Sequence, residues 1–106
     1  MVQEIKNLAE FKEIISGDKV VIIDFWAEWC GPCKQISPIF EKLSADFPNL
    51  AFYKVNVDEA SDISEEVGIR AMPTFMAFKN GAKIGESVGA IPTRLQELIA
   101  SAAQQA

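Results

Sequence analysis

Residues 20–33 read VVIIDFWAEWCGPC, and this stretch joins an apolar run to the only two cysteines of the chain. The nearly continuous apolar character of residues 19–26 is typical of a strand buried on both faces of a sheet. Cys30 and Cys33 follow that run at the expected start of a helix. Residues three apart on a helix share a face, and a Cα separation of roughly 5–5.5 Å is within disulfide range. The stretch therefore predicts a strand, a turn and a helix that carries a dithiol able to close and reopen.

The composition indicates a small globular protein. The 106 residues are 49% hydrophobic and 24% charged, which favours a single domain over residues 1–106. The net charge of −5 disfavours nucleic acid and anionic membranes as partners, because both attract basic proteins. No apolar stretch approaches the ~18–20 residues of a membrane span. We therefore expect a soluble protein with neither kind of partner.

The N-terminal residues MVQEIK resemble neither a signal peptide nor an Arg-rich transit peptide. We therefore expect a cytoplasmic protein, and an organellar form whose transit peptide has been removed is the open alternative. A stable structural disulfide is uncommon in the reducing cytosol, so a Cys-x-x-Cys pair there indicates redox or metal chemistry. Histidine is absent from the chain, which excludes His-ligated metal sites and Cys-His protease chemistry.

Hydrophobic spacing and turn residues predict nine elements. Strands are expected over residues 2–5, 19–26, 50–57, 74–78 and 83–88, and helices over about 8–15, 33–47, 59–67 and from 91 onwards. Asn7 is a candidate helix cap, and Asn80-Gly81 is a strong hairpin signal. The order βαβαβαββα implies an α/β fold, with a mixed sheet between helices. Reaction sites in such sheets lie beyond the carboxyl ends of central strands, where Cys30 is expected.

Cys30 is our candidate nucleophile and Cys33 our candidate resolving thiol. The thiolate is the attacking species, and the free N–H groups and partial positive charge at a helix N-terminus favour it. Cys30 should precede the first turn and be the more exposed sulfur, whereas Cys33 should be shielded inside that turn. Gly31 permits close backbone approach, and Pro32 suits the first helical position because it needs no N–H there.

A metal site is the alternative use of the cysteine pair. A single pair, without histidine and without a second pair, cannot complete a tetrahedral zinc site within one chain. Zinc or an iron–sulfur cluster would need two chains to share it. The sequence therefore favours redox chemistry and no metal.

Asp24 is a charged residue within the apolar run. Its carboxylate is expected to be desolvated, which raises the pKa of an unpartnered carboxyl group. Such a group near a thiol could take the proton from Cys33 as that residue attacks. The equally weighted alternative is a structural carboxyl group bonded to nearby backbone. Lys54 lies in the middle of the third strand, where a neighbouring strand could bring it to Asp24, although a surface lysine with a buried aliphatic stem is the more common case.

Met72 and Pro73 precede the fourth strand, where proline normally interrupts pairing. A cis bond between them would turn the chain sharply, but most X-Pro bonds are trans. Trp29 is either an exposed contact or a core residue, and Trp26 is expected in the core. Gly89-Ala90 ends the last strand and is consistent with a simple turn.

The chain resembles the thioredoxin family over essentially its whole length. Four stretches carry the resemblance in the family's order and spacing: DFWAEWCGPCK at 24–34, VNVD at 55–58, GIRAMPT at 68–74 and VGA at 88–90. A lone Cys-x-x-Cys is moderately specific, whereas the four stretches together are highly specific. The resemblance implies a thioredoxin fold, with a central five-stranded mixed sheet of order 1-3-2-4-5 flanked by four helices.

The resemblance also implies roles for individual residues. It implies that Pro73 is cis and packs beside the disulfide, that Asp24 is buried and assists proton transfer, and that Lys54 lies near Asp24. It further implies a shallow apolar groove that binds extended substrate chains, lined by Trp29, Val57, Met72, Pro73, Gly89 and Ala90. The Gly31-Pro32 pair between the cysteines is similar to that of reductants.

The implied activity is reduction of protein disulfides through Cys30 and Cys33, which serves electron transport and cell redox homeostasis. The implied partners are client proteins with disulfides and a flavoprotein thioredoxin reductase that draws on NADPH. No cofactor on the chain is expected, because the thiol pair is itself the redox centre, and we expect a monomer. The alternatives are a thioredoxin-fold binding module with incidental thiols and a disulfide isomerase or oxidase.

Overall fold

The computed structural model describes residues 2–106 of the chain. It contains five strands and four helices in the predicted order: β1 Val2–Glu4, α1 Leu8–Ile15, β2 Val21–Trp26, α2 Gly31–Asp46, β3 Ala51–Asn56, α3 Ser61–Val67, β4 Thr74–Lys79, β5 Ala82–Val88 and α4 Pro92–Ala103. Most boundaries lie within two residues of those expected from the sequence. The Asn7 side chain caps α1 by accepting a hydrogen bond of 2.9 Å from the Glu10 N–H.

The strands form one mixed sheet in the order β1-β3-β2-β4-β5, which confirms the order that the resemblance implied. The strands β1, β3 and β2 are parallel to one another, whereas β4 is antiparallel to both β2 and β5. Asn80 and Gly81 join the last two strands with φ angles of 54° and 79°. Two successive positive φ values are what a two-residue hairpin of matching twist requires, so the predicted hairpin is confirmed.

The core consists mainly of two large apolar clusters, one on each face of this sheet, and a small third cluster is formed by Ala27, Cys30 and Cys33. One cluster lies under α2 and α4, and Phe40 anchors α2 there with its ring centroid 5.5 Å from those of Phe52 and Phe75. The other cluster lies under α1 and α3. Strand β2 is paired on both sides and supplies residues to both clusters, as its apolar run predicts. The end of β2 therefore lies in the middle of the sheet, and α2 begins directly above it.

Candidate active site

Cys30 and Cys33 form a disulfide at the start of α2, with Cα atoms 5.3 Å apart. The separation agrees with the 5–5.5 Å expected for residues three apart on a helix. Cys30 is the N-cap of α2, and its sulfur accepts a hydrogen bond of 3.1 Å from the N–H of Cys33. Both residues are almost fully buried, with 4% of Cys30 and 2% of Cys33 exposed. The expected order of exposure holds, but the difference is small.

The two residues between the cysteines open the helix. Gly31 is the first residue of α2 and Pro32 the second, so the helix begins two residues earlier than expected and Pro32 is not at its first position. Pro32 lies within the first turn, where backbone N–H groups have no intrahelical partner, so its missing N–H leaves no hydrogen bond unmade. Both residues are exposed and face solvent beside the disulfide.

Asp24 lies in β2, and only 4% of its surface is exposed. Its Oδ1 has no hydrogen-bond partner within the described residues. Burial raises the pKa of Asp24 from its ordinary value of 3.8 to about 7, against the opposing effect of the positive charge of Lys54. An unbonded oxygen in the protein interior is costly, and its presence disfavours the alternative of a carboxyl group satisfied by nearby backbone.

Lys54 is paired with Asp24 in the β2–β3 register, so their Cα atoms are neighbours in the sheet. The two side chains do not form an ion pair, because the only one within 4 Å in residues 2–106 joins Lys83 to Glu86. The Lys54 ammonium group lies instead 5.7 Å from the ring centroid of Trp26, within cation–π range. Lys54 is half-buried, and its charge still acts on Asp24.

A cavity of about 100 Å³ connects the buried carboxyl group with the second cysteine. Its lining residues come from three elements: Asp24 and Trp26 of β2, Cys33, Lys34 and Ser37 of α2, and Lys54 of β3. Polar groups line it on several sides, and its volume exceeds the roughly 30 Å³ that a water molecule occupies in the liquid. The cavity therefore has room for a short path of water between the Asp24 carboxyl group and Cys33.

The loop before β4, which contains Met72 and Pro73, reaches the cysteine pair. The bond between Met72 and Pro73 is cis, which confirms what the resemblance implied and what the residues alone did not favour. Met72 packs against the cluster formed by Ala27 and the two cysteines. Pro73 is buried, and its carbonyl oxygen accepts a hydrogen bond of 2.8 Å from the N–H of Gly89. The end of β5 is thereby held against this loop.

The remaining residues of the expected groove differ in exposure. Trp29 is 70% exposed, and its indole Nε1 donates a hydrogen bond of 3.0 Å to Oδ2 of Asp58. Val57 is half-buried and packs against the cysteine cluster. Gly89 has a φ of 99°, which favours glycine at this position. Ala90 is half-buried and packs partly against the core cluster under α2 and α4, so less of it faces the expected groove.

Comparison with known proteins decides the family, since the family model for thioredoxin matches residues 2–101. The chain belongs to the thioredoxin family. The thioredoxin of Malassezia sympodialis is 60% identical over 101 residues, which span 92% of this chain and 95% of that relative. The crystal structure of Malassezia sympodialis thioredoxin has a TM-score of 0.91 at 57% identity and covers 96% of this chain and 93% of its own. A second solved structure has a TM-score of 0.90 at 41% identity, with 94% of each chain covered. It concerns the thiol-resolving mechanism of a yeast mitochondrial 1-Cys peroxiredoxin through the glutathione and thioredoxin systems.

Membership in the thioredoxin family makes the chain a thiol–disulfide oxidoreductase that reduces protein disulfides. The Cys30–Cys33 disulfide is its redox-active centre. Within residues 2–106, no group of three or more cysteine, aspartate or glutamate side chains could hold a metal ion. None of the helices described between those residues has the length and apolar character needed to cross a membrane.

Three residues of this thioredoxin site carried no role in the sequence analysis. Asp58 holds the Trp29 indole, and Lys34 and Ser37 line the cavity beside Cys33. Ser37 lies four residues after Cys33, so helical spacing alone places it on the same face. Asp58 follows β3, whose carboxyl end lies beside that of the parallel strand β2. Spacing could therefore have indicated Ser37, and the strand order could have indicated Asp58.

Proposed function

We propose that Cys30 attacks the client disulfide and that Cys33 resolves the resulting mixed disulfide. The observation that carries this assignment is the asymmetry of the two sulfurs. Cys30 is the N-cap of α2 and its sulfur accepts a backbone hydrogen bond, which stabilises a thiolate there. Cys33 lies within the first turn and lines the cavity that also contains the Asp24 carboxyl group. Cys30 is thus placed to attack as a thiolate, and Cys33 can transfer its proton to Asp24 when it attacks in the second step.

The exchange proceeds in two steps. The Cys30 thiolate attacks one sulfur of the client disulfide, so that a new S–S bond forms and the client bond breaks with release of one client thiolate. The Cys33 sulfur then loses its proton and attacks the Cys30 sulfur, which breaks the mixed disulfide and releases the second client thiolate. The client disulfide has gained two electrons, and the Cys30–Cys33 pair has lost two.

Asp24 is the proposed acceptor of the Cys33 proton. With a pKa of about 7, its carboxyl group is divided between its two protonation states near neutral pH, as a proton-transfer group should be. Water in the cavity would carry the proton over the space between the two side chains. In the reverse direction the protonated Asp24 returns the proton to Cys33 as the disulfide is reduced.

The client is proposed to bind beside the disulfide in an extended conformation. Its contacts would be the exposed Trp29 ring, Gly31, Pro32 and the half-buried side chains of Val57 and Met72. Gly89, Pro73 and Ala90 form the far side, with less exposed surface. The solved neighbour connected with a peroxiredoxin supports oxidised peroxiredoxins as one class of client.

The electrons are proposed to come from NADPH through a flavoprotein thioredoxin reductase. The chain needs no bound cofactor in this scheme, because the cysteine pair accepts and donates both electrons.

We propose that the protein acts as a monomer, since the residues of one chain complete the site. We also propose that residues 1–106 act as one domain, which is supported by the single sheet shared by both core clusters. The cytoplasm is the proposed compartment, since its reducing conditions keep the pair available as a dithiol.

Reduction of insulin disulfides, with thioredoxin reductase and NADPH as electron source, tests this function. The wild-type protein is expected to turn over. Cys33→Ser is expected to stop turnover and to accumulate a covalent mixed disulfide with the client, detected by mass spectrometry, because Cys30 can still attack. Cys30→Ser is expected to stop turnover without trapping client.

The two single variants control for each other, since each removes one sulfur from the same helical turn. Trapping by Cys30→Ser but not by Cys33→Ser would reverse the assigned roles. Full turnover by the Cys30→Ser, Cys33→Ser double variant would refute the function itself.

A further inference from the structure

Few large apolar side chains remain exposed in this fold. Within residues 2–106, the large hydrophobic residues that remain exposed are Trp29 at 70%, Val88 at 44% and Ile91 at 40%. Trp29 directly precedes Cys30. The other two lie on either side of Gly89, whose N–H is bonded to the carbonyl oxygen of the cis-proline loop. Apolar side chains are therefore exposed next to the disulfide and on the segment that is bonded to the cis-proline loop.

Ile91 is an unusual residue for its position, and two-fifths of its surface is exposed. It is the N-cap of α4, with φ of −113° and ψ of 104°, and it makes no side-chain cap hydrogen bond. Polar residues such as Asn are strongly preferred there, because their oxygen can accept a free N–H of the first helical turn. The chain uses that solution at Asn7 of α1. A residue that departs from a local preference and leaves apolar surface exposed is a candidate for a functional constraint.

The Ile91 side chain lies over Gly89. Its Cδ1 and Cγ1 are 3.9 and 4.0 Å from the point where residue 89 would carry a Cβ. Because Gly89 has no side chain of its own, Ile91 supplies the apolar surface next to the loop of Pro73. Ile91 would thereby extend the proposed client groove by one residue beyond Ala90.

We propose that Ile91 is a specificity-determining residue, which binds a large apolar side chain of the client close to the client's disulfide. The inference rests on the proposed function, since it assumes that clients lie along this groove. Ile91 offers no hydrogen-bonding group, so it favours an apolar client side chain over a polar one of similar size. Burial of the exposed two-fifths of Ile91 corresponds to about a three- to eightfold gain in kcat/KM for an apolar client.

The test compares Ile91→Asn with the wild-type protein on pairs of peptide disulfides. The two peptides of a pair differ at one position, which is Leu in one peptide and Ser in the other. This position lies within four residues of the attacked cysteine and changes from pair to pair. Ile91→Asn is expected to lower kcat/KM about three- to eightfold for the Leu peptide of at least one pair, and less than twofold for its Ser partner. The denaturant midpoint of the variant checks that it remains folded, because Asn can cap α4 but removes the buried part of the Ile91 side chain. Loss of the Leu preference in a variant that remains folded and still reduces the Ser peptide is a result that a purely structural role does not produce.

Two controls separate this proposal from the proposed function. Reaction of the reduced protein with 5,5′-dithiobis(2-nitrobenzoate), a small disulfide that has no peptide side chain to place against Ile91, is expected to be unchanged by Ile91→Asn. Ile91→Val keeps the apolar surface and is expected to retain the Leu preference within twofold. An equal effect on both members of every pair, or no effect on any pair, would overturn the role of Ile91. Failure of the wild-type protein to reduce any peptide would refute the proposed function instead.

Discussion

Replacement of Asp24 by Asn is expected to change how the stability of the protein depends on pH. Burial raises the pKa of Asp24 from 3.8 to about 7, so the ionised state is disfavoured in the folded protein by about 4 kcal/mol. Between these two pH values the folded chain binds a proton that the unfolded chain releases. The contribution of Asp24 to stability is therefore fully present at acidic pH and is lost as the pH rises to about 7.

The magnitude follows from the same values. As the pH rises from 5 to 8, titration of Asp24 lowers the free energy of unfolding of the wild-type protein by about 2.5 kcal/mol. This contribution is absent from Asp24→Asn, whose amide does not titrate. The stability of the variant relative to the wild type should consequently rise by about 2.5 kcal/mol over this range. Urea unfolding of both oxidised proteins at pH 5, 6, 7 and 8 measures the difference, and other titrating groups cancel in the comparison.

Asp18→Asn is the matched control, because it removes one carboxylate from an exposed position. Its stability relative to the wild type should stay nearly constant over the same range. If the difference between Asp24→Asn and the wild type were equally constant, the ionised carboxylate would not be destabilised in the fold. The reasoning from burial and from the unbonded oxygen would then be wrong.

Two further predictions concern turnover. In Asp24→Asn, resolution of a preformed mixed disulfide by Cys33 should be slower by about tenfold or more at pH 8, because the proton acceptor is absent. Rapid-mixing kinetics should show a midpoint near pH 7 in the rate of the wild type and none in the variant. An unchanged pH profile would remove Asp24 from the reaction. Asp58→Ala should lower kcat/KM for protein clients about two- to fivefold in the insulin assay, because the Trp29 indole loses its hydrogen bond. Asp58→Asn keeps an acceptor oxygen and should stay near the wild-type value, and equal losses in both variants would contradict the positioning role.

The elements could be predicted from the sequence because local signals agree with the fold. The apolar run of β2, the Asn7 cap and the Asn80-Gly81 turn each depend on a few neighbouring residues, and each is confirmed. The helix α2 begins two residues before the position that the sequence predicts, since Gly31 and Pro32 are poor helix formers except in a first turn. The strand register places Lys54 next to Asp24, as the resemblance implied.

Contacts that depend on side-chain conformation could not be predicted. The Lys54 ammonium group lies at Trp26 and not in an ion pair with Asp24, because a long flexible side chain can leave its strand neighbour for an aromatic face. The cis bond before Pro73 goes against the preference of most X-Pro bonds, so the residues alone did not favour it. The bond from Trp29 to Asp58 joins residues 29 positions apart, which no local pattern indicates.

The positions of the two tryptophans have a practical consequence, because the chain contains no others. Trp26 lines the cavity between Asp24 and Cys33, whereas Trp29 is exposed on the side where the client is proposed to bind. The indole fluorescence of the protein therefore originates entirely at its redox centre. Two single-tryptophan variants would separate the two contributions without any attached label. Trp29→Phe leaves the emission of Trp26, which reports on the cavity between Asp24 and Cys33. Trp26→Phe leaves the emission of Trp29, which reports on the surface where the client is proposed to bind.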